Sequence, residues 1–161
     1  MKREGFTLIE TLIYAAIFAL AIFALVSVYN SSVQTRSIAL AQEAVLESRR
    51  VAEATILKRL REATSITTPA SGTSSSLVIG SPTVLENPVT FAVSSGRLTI
   101  KLGPLGTPVP ITASNVTASS FSVTRLDGSP ASLAITIVYS ASTAARATFT
   151  ATSNFGFTLR L

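Results

Sequence analysis

The sequence predicts an α+β fold in which one long N-terminal helix packs on a C-terminal antiparallel β-sheet. A run from Thr11 to Tyr29 carries no charge, and neither this run nor residues 31–66 contain glycine or proline, so one helix is expected to continue through both. Pro69 and Gly72 then interrupt the chain. The sequence beyond them alternates between apolar and polar residues, which is typical of half-buried strands. Helix and strands are therefore segregated along the chain, as in the α+β class.

The composition of the 161 residues indicates contact with a membrane. Charged residues make up 13% of the chain, against roughly a quarter in an average globular domain. The net charge of +5 is compatible with binding to nucleic acid, but the hydrophobic content of 47% favours a membrane. Cys and His are absent, which excludes disulfide frameworks, Cys/His metal clusters, and catalysis by a thiol or an imidazole. No cofactor is predicted.

Residues 6–30 form the predicted membrane-spanning half of the helix. The nineteen residues of the uncharged run extend about 28 Å as a helix, close to the ~30 Å hydrocarbon core of a bilayer. Lys2 and Arg3 precede the span, and basic flanks favour the cytoplasmic side. The expected topology is a single pass through the cytoplasmic membrane, with the C-terminal domain outside. A secretory signal cleaved near Ala19-Leu20-Ala21 is the weaker alternative, because the apolar run is too long and Glu10 interrupts it early.

Residues 31–66 form the predicted amphipathic half of the helix, which is expected to end near Thr64, where β-branched residues follow. Charged residues lie on one side, and two pairs stand in attractive i,i+4 order: Arg49–Glu53 and Lys58–Glu62. Apolar residues recur at spacings of three, four and seven, and are expected to share the stripe that covers the sheet. They are Ile38, Ala41, Val45, Ala52, Ile56, Leu60 and Ala63.

Residues 67–161 are predicted to form the antiparallel sheet, with Ser and Thr on its outer face. The segments Val89–Val93 and Arg97–Leu102 alternate and flank a Ser-Gly pair, which predicts a hairpin. The segments Ser119–Leu126 and Ser132–Tyr139 flank the turn sequence Asp-Gly-Ser-Pro and predict a second hairpin.

The end of the chain predicts a further strand, because residues alternate from Ala147 to Thr152 and apolar residues recur with period two from Phe155 to Leu161. Gly103–Pro110 contains three prolines. Proline cannot donate to a strand ladder, so this segment is predicted to be a loop.

The predicted sheet offers little for catalysis. Its only carboxylates are Glu86 and Asp127, which stand far apart in the sequence. An enzyme is therefore not expected. Basic residues are interpreted as solvated charges that protect the sheet rather than as a path for DNA, so nucleic acid is the less favoured partner. They are Arg97, Lys101, Arg125, Arg146 and Arg160.

Glu10 carries the sharpest functional signal in the sequence. It stands directly before the uncharged run, and an ionisable group at a span is costly and therefore indicates a function. The alternative is a Glu that merely lies in the headgroup region of an ordinary anchor. The surrounding residues favour a function, because basic residues, a glycine, an aromatic residue and apolar residues precede Glu10 in that order.

This string, KREGFTLIE at residues 2–10, resembles the N-terminal signal of the type IV pilin and type II secretion pseudopilin family. The resemblance implies that residues 1–5 are a leader peptide, with Lys2 and Arg3 as its basic residues. It implies cleavage by a prepilin peptidase between Gly5 and Phe6.

The resemblance also assigns roles to the residues that follow the leader. It implies N-methylation of Phe6, and a salt bridge during assembly between Glu10 of one subunit and the Phe6 amine of its neighbour. It implies a pilin-like fold, in agreement with the α+β class. The expected partners are other pilin or pseudopilin subunits, the prepilin peptidase and methylase, and the assembly platform of the inner membrane.

The expected function is therefore that of a structural subunit of a type IV pilus or a type II secretion-like filament, held first in the cytoplasmic membrane and then in an extracytoplasmic filament. No proline kinks the helix and no Cys closes a C-terminal loop, which favours a minor, J-like subunit over a major pilin. Two alternatives stay open. One is a DNA- or surface-binding minor pilin of a competence or adhesion pilus. The other is a plain single-span membrane protein with an exported β domain.

Overall fold

A computed structural model describes residues 7–128, 130–143 and 148–158 of the chain. The chain divides into two compact units, Met1–Ser37 and Ile38–Leu161. One long helix and antiparallel strands make up the described residues, and the second part of the helix packs on the strands. The expected α+β class is confirmed.

The long helix, α1, spans Leu8–Glu62. The predicted helix end near Thr64 lies within two residues of the observed end at Glu62. The assignment of residues 63–66 to the amphipathic half of the helix is wrong, because a strand begins at Ser65. The run Thr-Ser-Ile-Thr-Thr that starts at Thr64 favours extended backbone. Its pairing with another strand then supplies the hydrogen bonds that the helix would have provided.

Nine strands lie in the described part of the chain, together with a short 3₁₀ helix at Val84–Glu86. They are β1 Ser65–Thr68, β2 Gly72–Ser74, β3 Ser76–Gly80, β4 Val89–Ser94, β5 Arg97–Leu102, β6 Val109–Pro110, β7 Thr117–Leu126, β8 Ser132–Ser142 and β9 Thr148–Thr158. They form two sheets, of order β1-β3-β4-β5-β6 and β2-β7-β8-β9. The sequence predicted a single sheet, so this detail of the architecture is corrected.

The first sheet contains the hairpin predicted from Val89 to Leu102. Ser94 pairs with Arg97, which leaves a two-residue turn of Ser95 and Gly96. Both have positive φ angles, 51° and 70°, as a type I′ turn requires, and this turn matches the twist of the flanking strands. The hairpin is confirmed.

The prediction of a loop over Gly103–Pro110 is wrong at its end. Val109 and Pro110 form β6 and pair with Ile100 and Thr99 of β5. β6 is the last strand of the first sheet, and an edge strand tolerates proline because one side of it needs no ladder donor.

The second sheet contains the other predicted hairpin, β7–β8, which pairs Leu126 with Ser132 next to the turn. β9 pairs with β8 along its whole length and confirms a strand at the end of the chain. Ala147 and the predicted strand positions 159–161 lie outside the described residues.

A bulge in β7 changes which residues face the core. The pairing with β8 shifts between Ala118 and Ser120. Ala118 is buried before the shift, whereas Phe121 and Val123 are buried after it. One extra residue in a strand moves the side chains that follow to the opposite face of the sheet from the one that strict alternation predicts. The sequence pattern alone does not show this exchange.

The core lies between the amphipathic half of α1 and the two sheets. The helix contributes Ala41, Val45, Ala52, Ile56 and Leu60, and the strands contribute among others Leu77, Phe91, Leu98, Val123, Ile135 and Ile137. The predicted apolar stripe is confirmed over Ala41–Leu60, while Ile38 is 38% exposed and Ala63 is half-buried.

A fragment of residues 31–161 is expected to be a soluble monomer with a mixed α/β circular dichroism spectrum, because it keeps the whole core. In this fragment Ile56→Ala should lower the free energy of unfolding by about 2–5 kcal/mol. Leu40→Ala is the matched control, since Leu40 is 55% exposed and its loss should change little. Urea titration measures both. An unfolded or wholly helical fragment would contradict this architecture.

Candidate functional site in the N-terminal helix

Glu10 lies in the first turn of α1 and is partly exposed. Its backbone amide donates to the Thr7 carbonyl with an N–O distance of 3.1 Å, and the Tyr14 hydroxyl lies 3.5 Å from its carboxylate and donates to it. A carboxylate in this turn is stabilised by the positive end of the helix dipole. Within the described residues, no ion pair involves Glu10.

The other residues of the predicted site, Lys2, Arg3, Gly5 and Phe6, lie outside the described residues. Their roles in the leader, in cleavage and in methylation stay predictions. The role of Glu10 in a salt bridge with the Phe6 amine of a neighbour also stays a prediction.

The apolar half of α1 exposes its side chains. In the part of the chain that the structure describes, α1 is the one helix that is long and apolar enough, by length and composition, to cross a membrane, and its most apolar stretch is not buried at all. Phe18 is 67% exposed and Phe23 is 76% exposed. A contiguous apolar surface of this kind is rare on soluble monomers and marks a surface that contacts lipid or protein.

A polar contact joins α1 to the second sheet. Ser153 of β9 is fully buried, and its hydroxyl donates to the Glu53 carboxylate. Arg49 donates from Nε to the same carboxylate oxygen at 2.9 Å, so the predicted Arg49–Glu53 pair is confirmed. The inward face of β9 is otherwise apolar at Phe149, Ala151, Phe155 and Phe157, so Ser153 supplies the hydrogen-bond donor on that face for the partly buried Glu53 carboxylate.

The polar contact also sets the ionisation of two groups. Burial raises the pKa of Glu53, but the hydrogen bonds from Ser153 and Arg49 and the charge of Arg49 outweigh it, so the pKa lies below its ordinary value. Burial, with the negative charge of Glu53, raises the pKa of Tyr139, against the opposing charge of Arg49. Glu53 is therefore ionised and Tyr139 neutral near pH 7, and neither has the intermediate pKa that acid–base catalysis needs.

The stability of the 31–161 fragment should fall in acid partly through Glu53. A carboxyl whose pKa is lower in the folded state stabilises that state above its ordinary pKa of 4.5, and this contribution is lost as the pH falls through the lowered value. Urea unfolding at about pH 7 and about pH 3 should therefore show a smaller acid loss for Glu53→Gln than for the unsubstituted fragment. Equal losses would contradict the role of the Glu53 charge.

Ser153→Ala and Tyr139→Phe should have different effects on the free energy of unfolding of the 31–161 fragment. Ser153→Ala removes a hydrogen bond to a charged group and should cost about 1–3 kcal/mol of unfolding free energy. The Tyr139 hydroxyl is buried and has no hydrogen-bond partner among the described residues, so Tyr139→Phe should be neutral or stabilising. A larger loss for Tyr139→Phe than for Ser153→Ala would show that the buried hydroxyl has a partner.

The carboxylates of the sheet region are not brought together. Glu86 accepts a hydrogen bond from Arg59 Nη1 at 2.7 Å, whereas Asp127 lies in the exposed turn between β7 and β8. Arg59 also lies 3.7 Å from Glu62, so the predicted partner of Glu62, Lys58, is wrong. The described residues contain no group of three or more acidic side chains that could hold a metal ion.

A cleft of about 540 Å³ lies between α1 and the edge of the first sheet. Its lining residues are Thr55, Lys58, Arg59, Ile100, Leu102, Gly106, Thr107 and Val109. The walls are mostly apolar with two cationic side chains, and they hold no acid–base pair.

The interpretation of the basic residues as solvated charges is wrong for Arg97. Its Nη2 donates to the Thr112 carbonyl, so this guanidinium anchors the segment after β6. The Nε atoms of Arg97 and Arg125 are both buried, so neither side chain is wholly free to contact a phosphate backbone. Arg146 and Arg160 lie outside the described residues.

Two buried serines are missing from the sequence prediction. Ser48 accepts a hydrogen bond from the Ala113 amide at 3.2 Å, and Ser153 binds Glu53. Ser48 stands three residues after Val45 and four before Ala52, so helical spacing alone places it on the buried stripe. Ser153 stands at an inward position of β9 by strand alternation.

Comparison with known proteins gives one match. Residues 1–27 match the family model described as the prokaryotic N-terminal methylation motif. No curated protein and no solved structure matches the chain. The match supports the resemblance to type IV pilins and pseudopilins, including processing by a prepilin peptidase and methylation, and with the exposed apolar helix it indicates anchoring in a membrane.

Proposed function

We propose that this chain, which carries the N-terminal signal of type IV pilins and pseudopilins, is a structural subunit of an extracytoplasmic filament, in the position of a minor pilin or pseudopilin. The observation that carries the proposal is the methylation motif placed directly on an exposed apolar helix with Glu10 in its first turn. The minor, J-like subtype stays a prediction.

Assembly follows from the chemistry of the N-terminus. Removal of residues 1–5 gives Phe6 a positively charged amine, which the Glu10 carboxylate of a neighbour can pair with. In a core of packed apolar helices an unpaired carboxylate is strongly penalised, so only a stagger that brings the two charges together is tolerated. The salt bridge thus selects the register between subunits.

The apolar half of α1 supplies the attraction between subunits. Its alanines allow helices to approach closely in lipid; they are Ala15, Ala16, Ala19, Ala21 and Ala24. The strands are then displayed outside the filament core. The proposed role is structural, and its partners are other subunits, the prepilin peptidase and the assembly platform of the inner membrane.

The expected location follows from Lys2 and Arg3, which keep the N-terminus in the cytoplasm. Before assembly the subunit is anchored in the cytoplasmic membrane with its C-terminal domain outside. It is then incorporated into the filament.

Shear fractionation of the native host tests this proposal. Filaments released by shearing are separated from membranes, and each fraction is probed for this chain. We expect the chain in both fractions, with the shorter, processed form in the filaments. A chain found only in membranes, in cells whose filaments are present, would contradict the proposed function and favour the plain single-span protein.

A further inference from the structure

One edge of the second sheet is long and uncharged. β9 spans Thr148–Thr158, and all of its 11 residues pair with β8 on one side. It is the last strand of its sheet, so in the part of the chain that the structure describes no strand lies on its other side. We call that side the free edge. An edge strand presents a row of unpaired backbone N–H and C=O groups, which can pair with a further strand.

The other three sheet edges carry features that prevent further pairing, namely short length, proline or a bulge. β6 has 2 residues and contains Pro110. β1 has 4 residues, its pairing shifts between Ile66 and Thr68, and Pro69 follows it. β2 has 3 residues and begins with Gly72. β9 has none of these features, because it contains neither proline nor a charged residue and pairs with β8 in a regular register.

The side chains of β9 show which kind of strand fits the free edge. Phe149, Phe155 and Phe157 lie on the inward face and pack on the core, but each stays partly exposed. Thr150 and Thr152 lie on the opposite, outer face and are exposed. Cross-strand neighbours on one face lie about 5 Å apart, so apolar side chains on an added strand would cover the phenylalanines. The free edge therefore matches an extended segment that is apolar on one face and polar on the other.

We propose that the free edge of β9 accepts a strand from a different exported polypeptide. The inserted segment has apolar residues at alternate positions and no charge among the residues that continue the inward face. Backbone hydrogen bonds to β9 supply the affinity, and the inward side chains supply the selectivity.

A second copy of this chain does not fit the free edge, and this step rests on the proposed function. Antiparallel pairing of β9 with β9 relates two copies by a two-fold axis perpendicular to the sheet, which reverses the direction of the helix packed on it. Subunits anchored in one membrane with the same topology share one helix direction.

The remaining pairings between copies are also unfavourable. Parallel pairing of β9 with β9 places the two helices on opposite sides of the joined sheet, so the phenylalanines of one copy line up with the threonines of the other. Pairing of β9 with the edge strand β1, β2 or β6 of another copy covers at most 4 residues. The donor is therefore a different chain.

Site-specific photocrosslinking of the full-length chain in its native host tests the proposal. Benzoylphenylalanine is placed at Thr150, Thr152 or Asn154, which are exposed on the outer face of β9. Each position should give a covalent product of this chain with one other polypeptide. Ser122 of β7 is the matched control, because it lies in one cross-strand row with Thr136 and Asn154 but about 14 Å from an added strand. It should give no such product.

The crosslinked residues of the partner show how the partner is bound. In a strand pair, each step of one residue along β9 corresponds to one residue along the partner. Probes two positions apart should therefore react with partner residues two positions apart, within one segment. Mass spectrometry of the crosslinked peptides measures this register, which docking through side chains alone does not impose.

Lysine substitutions on the two faces of β9 separate strand pairing from an effect of charge. In Ala151→Lys, the inward lysine can extend past the free edge into water, but an added strand would bury its charge. The yield of the Asn154 crosslink should fall by about tenfold. Thr152→Lys adds the same charge on the exposed outer face and should change the yield by less than about twofold. Phe157→Lys repeats the test at a second inward position, so that a folding defect in one variant does not decide the result.

Several outcomes would overturn the proposal. They are the absence of products from all three β9 positions, equal products from Ser122, partner residues scattered over several segments, and equal losses for Ala151→Lys and Thr152→Lys. A product that contains only copies of this chain would exclude a different polypeptide as the donor. Absence of the unsubstituted chain from sheared filaments contradicts the proposed function instead, and the crosslinks stay measurable in the membrane fraction, so the two failures are distinguishable.

Discussion

Replacing Glu10 with Gln is expected to leave the protein in the membrane and remove it from filaments. Gln keeps the size and most of the polarity of Glu but removes the charge that would pair with the Phe6 amine of a neighbour. Breaking a buried ion pair by removing one partner costs about 3–5 kcal/mol. A variant subunit with this disadvantage should lose the competition for filament positions against unsubstituted subunits.

The earlier steps should survive in Glu10→Gln. Membrane insertion depends on Thr11–Tyr29, which is unchanged, and the loss of a charge beside a span lowers the cost of insertion. Cleavage should survive because Gly5 and the basic leader remain. Methylation of Phe6 is expected to decrease if the methylating enzyme binds the same carboxylate.

Shear fractionation measures the effect, with Glu10→Asp as the matched control. Asp retains the charge on a shorter side chain and should restore part of the incorporation. Glu10→Gln subunits in filaments at the unsubstituted level would remove Glu10 from the mechanism and leave an ordinary membrane anchor.

Gly5→Val is expected to block processing completely. The resemblance places cleavage directly after Gly5, and a β-branched side chain there restricts the backbone that the peptidase must bind. The variant should stay in the membrane as the longer precursor and be absent from filaments. Electrophoretic mobility and the mass of the N-terminal peptide measure this.

Glu4→Gln is the matched control for Gly5→Val. It changes a charge next to the cleaved bond but keeps Gly5, so the chain should still be processed. Cleavage of Gly5→Val to the same mature form as the unsubstituted chain would show that the leader does not end at Gly5.

The sequence predicts the long helix and the two main hairpins well because each has a strong local signal. The helix has an uninterrupted run without glycine or proline, and the β4–β5 hairpin has a Ser-Gly pair that allows positive φ angles. The two sheets were not predicted as separate, because β1, β2 and β3 span only 4, 3 and 5 residues, which is too short for a clear period.

Long-range contacts account for the remaining differences between the predicted and the observed structure. Val109 and Pro110 become a strand only because the edge of β5 pairs with them, and the partly buried Arg97 donates to the Thr112 carbonyl. Ser153 stands 100 positions from Glu53 in the chain, so neither residue predicts the other. Glu10 was found from the sequence because its signal is local: a carboxylate beside an uncharged span.

Mass spectrometry of the mature N-terminal peptide tests the central claim most directly. The proposed function requires that the chain in the filament fraction begins at Phe6 and carries one additional methyl group on its α-amine. A mature chain that begins after Ala21, or a chain that keeps residues 1–5 in the filament fraction, would contradict the assignment of this protein as a processed filament subunit.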